Sequence, residues 1–306
     1  MNSILNSAIT YSDINSLFTE VKHRENLGLK NPNALRLFHL STQNNVFEYS
    51  SLEDFLTGII SEYVFSRAQI ERLSTKGNPH SIGIQALRIM KKHGHPDQKG
   101  TGNELGEILL FAFMEQVLGA PKLFSKAELY DSSATFGKES DSVHLLELQG
   151  APYQCYQTVF GTSDIDGDIQ DAVDKAFQSI DKMNRSGSTN SIMLAESHIF
   201  EESFPADTAN KIASLMIPNG KNSIFNDVAY GIFLGYSLGL NPTNWSNDQF
   251  RIVMDSKMQR DIKNHASYIA SKIMNLGLST HSFYVYLLPF NDAEEDKKRI
   301  MEELMR

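Results

Sequence analysis

QTVFGTSDIDGD, residues 157–168, carries an apolar, β-favouring run straight into three alternating aspartates, Asp164, Asp166 and Asp168. The apolar half predicts a strand over Tyr153–Phe160. After Gly167 the period changes: Ile169, Ala172, Val173, Ala176, Phe177 and Ile180 fall on one face and predict a helix to about Lys182. The aspartates between can be a metal-binding loop, a catalytic strand end that has lost its chemistry, or a polar turn. An EF-hand is excluded. Counting from Asp164, position six is Ile169 where glycine is needed, and position twelve is Lys175 where glutamate is needed.

Working outward on the N-terminal side, Gly150–Pro152 make a tight turn between this strand and another over Ser142–Gln149, a hairpin. A further strand is expected over Lys122–Tyr130. Before it, NELGEILLFAFMEQVLG (103–119) predicts a helix closing at Gly119, ahead of Pro121. It is apolar around most of its circumference and should be buried. Glu104 and Glu107 lie three apart in its first turn, where carboxylates complement the helix dipole or aim into a site at the sheet edge. KKHGHPDQKGTGN (91–103) is a loop. Its His93, His95 and Asp97 could ligate zinc but have no evident fourth ligand, so a solvated loop is the reading taken.

Further out, a strand is expected over Ala34–Leu40, then a helix capped by Ser51 that runs past Val64 into Ser66–Leu73, then a short helix over Ser81–Lys92. Beyond the central segment come a glycine-rich strand over Asn226–Leu240, a long helix over Asp248–Leu276, a strand over His281–Leu288 and a charged helix over Asn291–Met305. The glycine-rich strand is unusually apolar and reads as buried core, with a hydrophobic docking surface as the alternative. The last helix reads as solvent-exposed, with charge pairs such as Glu294–Lys298. Strands alternating with helices predict an α/β (α+β) class.

The chain has 306 residues and is 41% hydrophobic, enough to bury a sizeable core. Its net charge of -9 means that any nucleic-acid surface must be a local basic patch. The candidates are Lys91, Lys92 and Lys99 around the central loop and Lys122, Lys126 and Lys138 after the buried helix. One cysteine, Cys155, excludes an internal disulfide framework and reads as a buried strand thiol. Neither a signal peptide nor a bilayer span is expected, so the cytoplasm is the default location.

GNELGEILL (102–110), APKLFSKAEL (120–129), SDSVHLLEL (140–148) and VFGTSDIDGDIQDAVDKAF (159–177), with the late YVYLLPF (284–290), resemble the HamA family, the nuclease-type subunit of Hachiman anti-phage defence. The resemblance, best over roughly residues 100–180, implies a PD-(D/E)xK nuclease-like core over 96–306, a mixed central sheet flanked by helices; residues 1–95 contribute little to it and are expected to form an N-terminal α/β region packed on that core. It implies a metal-dependent DNase in bacteria that uses Mg2+ or Mn2+ and works with DNA and an ATP-dependent, HamB-like helicase. By the same resemblance Asp141 and a helix carboxylate, Glu107 or Glu104, are the expected metal ligands. The family's strand ends in Phe-Gly-Glu-Ser-Lys. Here Thr162 stands at the glutamate position and Asp164 at the lysine position, so the catalytic pair is not intact. A cation could still sit among Asp141, Asp164 and Asp166, and Lys126 or Lys175 could replace the lysine. Glu147 with Gln149, sharing a strand face with Asp141, is a lesser candidate pair. The chain is therefore expected to be a degenerate nuclease-fold subunit, an active endonuclease with a relocated lysine, or a non-enzymatic binding or regulatory subunit. Glu107, Asp141 and residues 162–164 are expected to converge at one rim of the sheet.

Overall fold

The structure, a computed structural model, describes residues 4–11, 13–76, 79–93, 104–131, 140–150, 155–185, 200, 202–216 and 225–306. In chain order the N-terminal third gives β1 (Phe18–Glu20), β2 (Asn33–Leu40), the small ribbon β3 (Thr42–Gln43) and β4 (Val46–Phe47), then helices α1 (Ser50–Val64), α2 (Arg67–Lys76) and α3 (Ile82–His93). There follow α4 (Glu104–Ala112), which loosens into a π-helical turn over Phe113–Leu118, α5 (Lys126–Asp131), β5 (Ser142–Glu147), β6 (Cys155–Asp166) and α6 (Ile169–Arg185). The C-terminal part gives α7 (Ala206–Met216), β7 (Phe225–Ser237), α8 (Asn247–Asn275), β8 (Ser282–Phe290) and α9 (Ala293–Leu304).

Six strands form one mixed sheet in the order β1-β2-β8-β7-β6-β5. The pairs β2/β8, β8/β7 and β7/β6 are parallel, and the two edge pairs are antiparallel. Parallel strands need both faces covered, and β8 is buried at every position. β7 lies between β6 and β8, so the apolar 225–240 segment is a core strand and the docking-surface alternative falls. β2 pairs with β8, so the N-terminal region and the nuclease-like region share one sheet. The arrangement α4, β5, β6, α6, β7 is compatible with a PD-(D/E)xK core.

Helix α4 lies close against the sheet because the sheet has no side chains beneath it. Gly161 of β6 and Gly231 of β7 are register partners. A β-carbon on Gly161 would overlap Ser142 Oγ and lie 2.8 Å from Leu110 Cδ2; one on Gly231 would lie 2.6 Å from Met114 Cε. Leu110 and Met114 are themselves fully buried, so neither has room to retreat. Gly119 ends the π-turn in the left-handed region, at φ 73°, and its backbone N–H reaches Met114 O. The other face of β6 carries Asp164 and Asp166 towards Lys175 of α6, so α4 and α6 cover opposite sides.

Several boundaries differ from the sequence reading, each for a local reason. The expected strand over Lys122–Tyr130 is an isolated bridge from Lys122 to His144 followed by α5. Ser125 caps that helix: Glu128 Oε2 accepts from Ser125 N and Oγ, both at 2.7 Å, and Ser125 Oγ accepts from Glu128 N at 3.3 Å. The same device separates α1 from α2, where Ser66 N donates to Gln69 Oε1 at 2.8 Å and Gln69 N to Ser66 Oγ at 3.3 Å. Ser51 does not cap α1. The helix begins one residue earlier, and Glu48 Oε1 accepts from Ser50 N at 2.9 Å. Helix α7 was not anticipated. The last helix is not a solvated tail: α9 buries Ala293, Asp296, Lys297, Ile300, Met301 and Leu304, and Lys297 rather than Lys298 approaches Glu294, at 3.3 Å.

Lys122 joins the N-terminal helices to this core. Its buried Nζ donates to the carbonyls of Glu62 and Phe65 (2.6 Å to the latter), which α1 leaves unsatisfied at its C-terminal end, and lies 5.3 Å above the Phe111 ring. Burial lowers its pKa to about 8.

Gly231→Val should lower unfolding stability by about 1–3 kcal/mol through overpacking against Met114, read as a shift in urea midpoint with unchanged slope. A valine at exposed Ile252 should leave the midpoint within about 0.5 kcal/mol.

Candidate functional site

At the rim where α4 begins and β5 starts, five elements bring polar groups together. Glu107 projects from the first turn of α4. Lys126 opens α5 and places Nζ 2.6 Å from Glu107 Oε2. Tyr63, near the end of α1, donates its hydroxyl to the same oxygen at 2.6 Å. Asp141 immediately precedes β5; its N–H donates to Gly161 O at 2.9 Å, and its Oδ2 accepts from Ser163 N at 2.6 Å and Ser163 Oγ at 2.8 Å.

The charges are unbalanced in a defined way. Burial, and then the negative charge of Glu107, push Asp141 up to about 7; Lys126 and the two bonds from Ser163 act against that rise. One lysine thus faces two carboxylates, tied directly to one of them. His144, next along β5 on the same wall, is driven down to about 3 by burial and is neutral, with Nδ1 against Ala120 O at 2.8 Å. Tyr63, Phe111, Lys126, Leu129, Asp141 and His144 enclose a cavity of only about 10 Å3, about the volume that one water needs.

The expected convergence is therefore partial. Glu107, Asp141 and Lys126 meet, and Lys126 arrives from α5, not from a strand. Thr162 and Asp164 do not join them, because side chains alternate along β6 and both point to the α6 face. Thr162 is buried there. Asp164 is pushed up to about 6 by burial, opposed by Lys175 at 3.9 Å. Lys175 also holds Asp166, so it serves the opposite face and is remote from Glu107. Glu104 sits half-buried one turn earlier on α4. Glu147 pairs with Tyr156 at the far end of the hairpin, six residues and therefore about 20 Å along the strand from Asp141. His95, Asp97, Lys99 and Lys138 lie outside the described residues, as does the side chain of His93. Lys122 and Lys126 are buried and bonded within the protein, so neither lies on a surface that could track DNA; Lys91 and Lys92 are exposed on α3.

Among the described residues no group of three His, Cys, Asp or Glu side chains is placed to hold a metal ion. Glu107 already binds a lysine, Asp141 is bonded to Ser163, and the small cavity beside Asp141 takes no hydrated cation. The donor set in this arrangement does not fit Mg2+ or Mn2+. Sequence reasoning missed Tyr63, and it placed Ser163 within the 162–164 segment expected at the rim without giving it a role. Ser163 was visible as the odd residue between two positions of the other parity.

Asp141 gives the fold a measurable pH dependence. Its folded pKa lies above its unfolded value of about 3.9, so the folded state binds the extra proton between about pH 4 and 7. Its contribution to stability is present below that window and is lost as pH rises through it. Asp141→Asn should flatten this slope and be more stable than the parent at pH 8 by about 1–2 kcal/mol, measured by urea unfolding at pH 5 and pH 8.

Comparison with known proteins places the chain. No curated protein matches it. Among the described residues no helix is long and apolar enough to cross a membrane. A protein-family model, HamA, matches residues 15–304, nearly the whole length. The buried helix carrying Glu107, the hairpin opened by Asp141 and the parallel strands behind them all fall within that match, and the chain belongs to the HamA family, a component of Hachiman anti-phage defence.

Proposed function

We propose that this chain is a nuclease-fold subunit of a bacterial Hachiman system in which DNA cleavage is weak or lost, and that it acts in the cytoplasm on DNA together with a helicase partner. The observation that carries the reading is the pair Thr162 and Asp164 at the family's glutamate and lysine positions. Threonine brings no charge. Aspartate reverses the sign that a lysine would supply, and both residues turn towards α6. What is left at the rim, Glu107 and Asp141 around Lys126, is closed by its own ion pair and hydrogen bonds. Its role is to hold α4, α5 and β5 in place, and the chain contributes binding.

A second reading has one observation in its favour. Lys126 reaches Glu107 at 2.6 Å, so a lysine has entered the neighbourhood from a new position. If the rim opened, that lysine could orient a water beside Asp141, and the chain would be an endonuclease dependent on Mg2+ or Mn2+.

Plasmid nicking in Mg2+ and in Mn2+ separates the two, with Asp141→Asn and Lys126→Ala run alongside and phage plating scored in cells carrying the whole system. The degenerate reading expects nicking by the parent no faster than by either variant, with protection by Asp141→Asn within about tenfold of the parent. Nicking that both variants lose by about 100-fold or more, with protection lost in step, would establish the relocated-lysine enzyme instead.

A further inference from the structure

The segment from α2 to α3 is charged against the trend of the chain. Residues 67–92 carry Arg67, Arg72, Lys76, Arg88, Lys91 and Lys92 against a single acid, Glu71, in a protein of net charge -9. Between α2 and α3 lies an open groove of about 480 Å3, floored by Phe65, Leu73 and Ile89 and rimmed by Gln69, Arg72 and Arg88. Arg72, Arg88, Lys91 and Lys92 are exposed, and Ile84, on α3 beside the groove, is 54% exposed. Leu73 and Ile89 are only partly buried although they pack on the core.

We propose that this groove docks an acidic amphipathic segment of the partner protein. A purely electrostatic surface for a phosphate backbone would have no use for an apolar floor. A purely apolar patch would not draw basic side chains to its rim in an acidic chain. The combination suits a helix or extended segment that places two or three apolar side chains on Phe65, Leu73 and Ile89 and turns Asp or Glu towards Arg72 and Arg88. The groove has the size of a site for a few side chains, lies within the N-terminal helices and shares no lining residue with the cavity beside Asp141. The inference rests on the reading that the chain works with a helicase partner, and it names the surface and the chemistry of that contact.

The test uses the full-length chain and the purified helicase of the same system. Arg72→Glu/Arg88→Glu changes two exposed residues, so its thermal midpoint should match the parent's. The double variant should bind the helicase about 30–100-fold more weakly at low salt, with a flatter dependence of affinity on salt. A photo-crosslinking amino acid at Ile84 should give products that map to a helicase segment rich in Asp and Glu. Equal binding by parent and double variant overturns the groove while leaving the helicase partnership intact. No binding by the parent at any salt removes the partnership and this proposal with it. If the double variant keeps its affinity for the helicase but loses affinity for a 20-base-pair duplex, the surface contacts phosphate and the proposal is wrong. Crosslinks confined to basic or uncharged helicase segments overturn it as well.

Discussion

The architecture depends on how closely α4 can approach the sheet. Two facing glycines, Gly161 and Gly231, leave β6 and β7 bare at the point where Leu110 and Met114 cross them. That contact seats α4 deep enough for Glu107, at its entry, to come level with the start of β5 and for Lys126 to reach across from α5. With side chains in place of the glycines the helix would ride higher, and the polar groups at the rim would lose their register. The π-helical turn over Phe113–Leu118 includes Met114, the second residue of that crossing. There Glu115 is buried, accepting from the backbone N–H groups of Ala8 at 2.7 Å and Lys122 at 2.8 Å. One bare strip of sheet thus sets both ends of the buried helix.

The polar rim illustrates how a charged site can turn into a structural one. Tyr63 and Lys126 satisfy Glu107, Ser163 satisfies Asp141, and the cavity beside Asp141 is the size of a water. On the reverse side of β6, Asp164 and Asp166 face Lys175 from α6. Carboxylates thus lie on both sides of the sheet near the end of β6, with Lys126 among those of the α4 side and Lys175 among those of the α6 side.

Much of this could be read from the residues, and what could not has physical reasons. The helix expected to about Lys182, the existence of the apolar core strands and the close of the buried helix at Gly119 follow from period and turn chemistry, whereas the parallel pairing of β6, β7 and β8 does not. The Ser-x-x-Glu of Ser125–Glu128 and the Ser-x-x-Gln of Ser66–Gln69 were also legible as helix starts; β-favouring neighbours such as Leu123 and Phe124 masked the first, and the continuous apolar spacing masked the second. The orientation of Thr162 and Asp164 was not accessible from the motif. Parity places them together, but only the sheet shows that their face belongs to α6. Lys126 was legible as a candidate, whereas its arrival through a helical turn was not.

β2 has a consequence for how the molecule can be divided. It lies second in the sheet, hydrogen-bonded to β8 along Asn33–Leu37, while the helices that follow it are anchored by Lys122 at the end of α1. Severing the chain near residue 95 would leave β8, apolar and enclosed along its entire length, as a naked sheet margin open to any other extended chain. The first third of the protein therefore shields the sheet margin of the rest through β2.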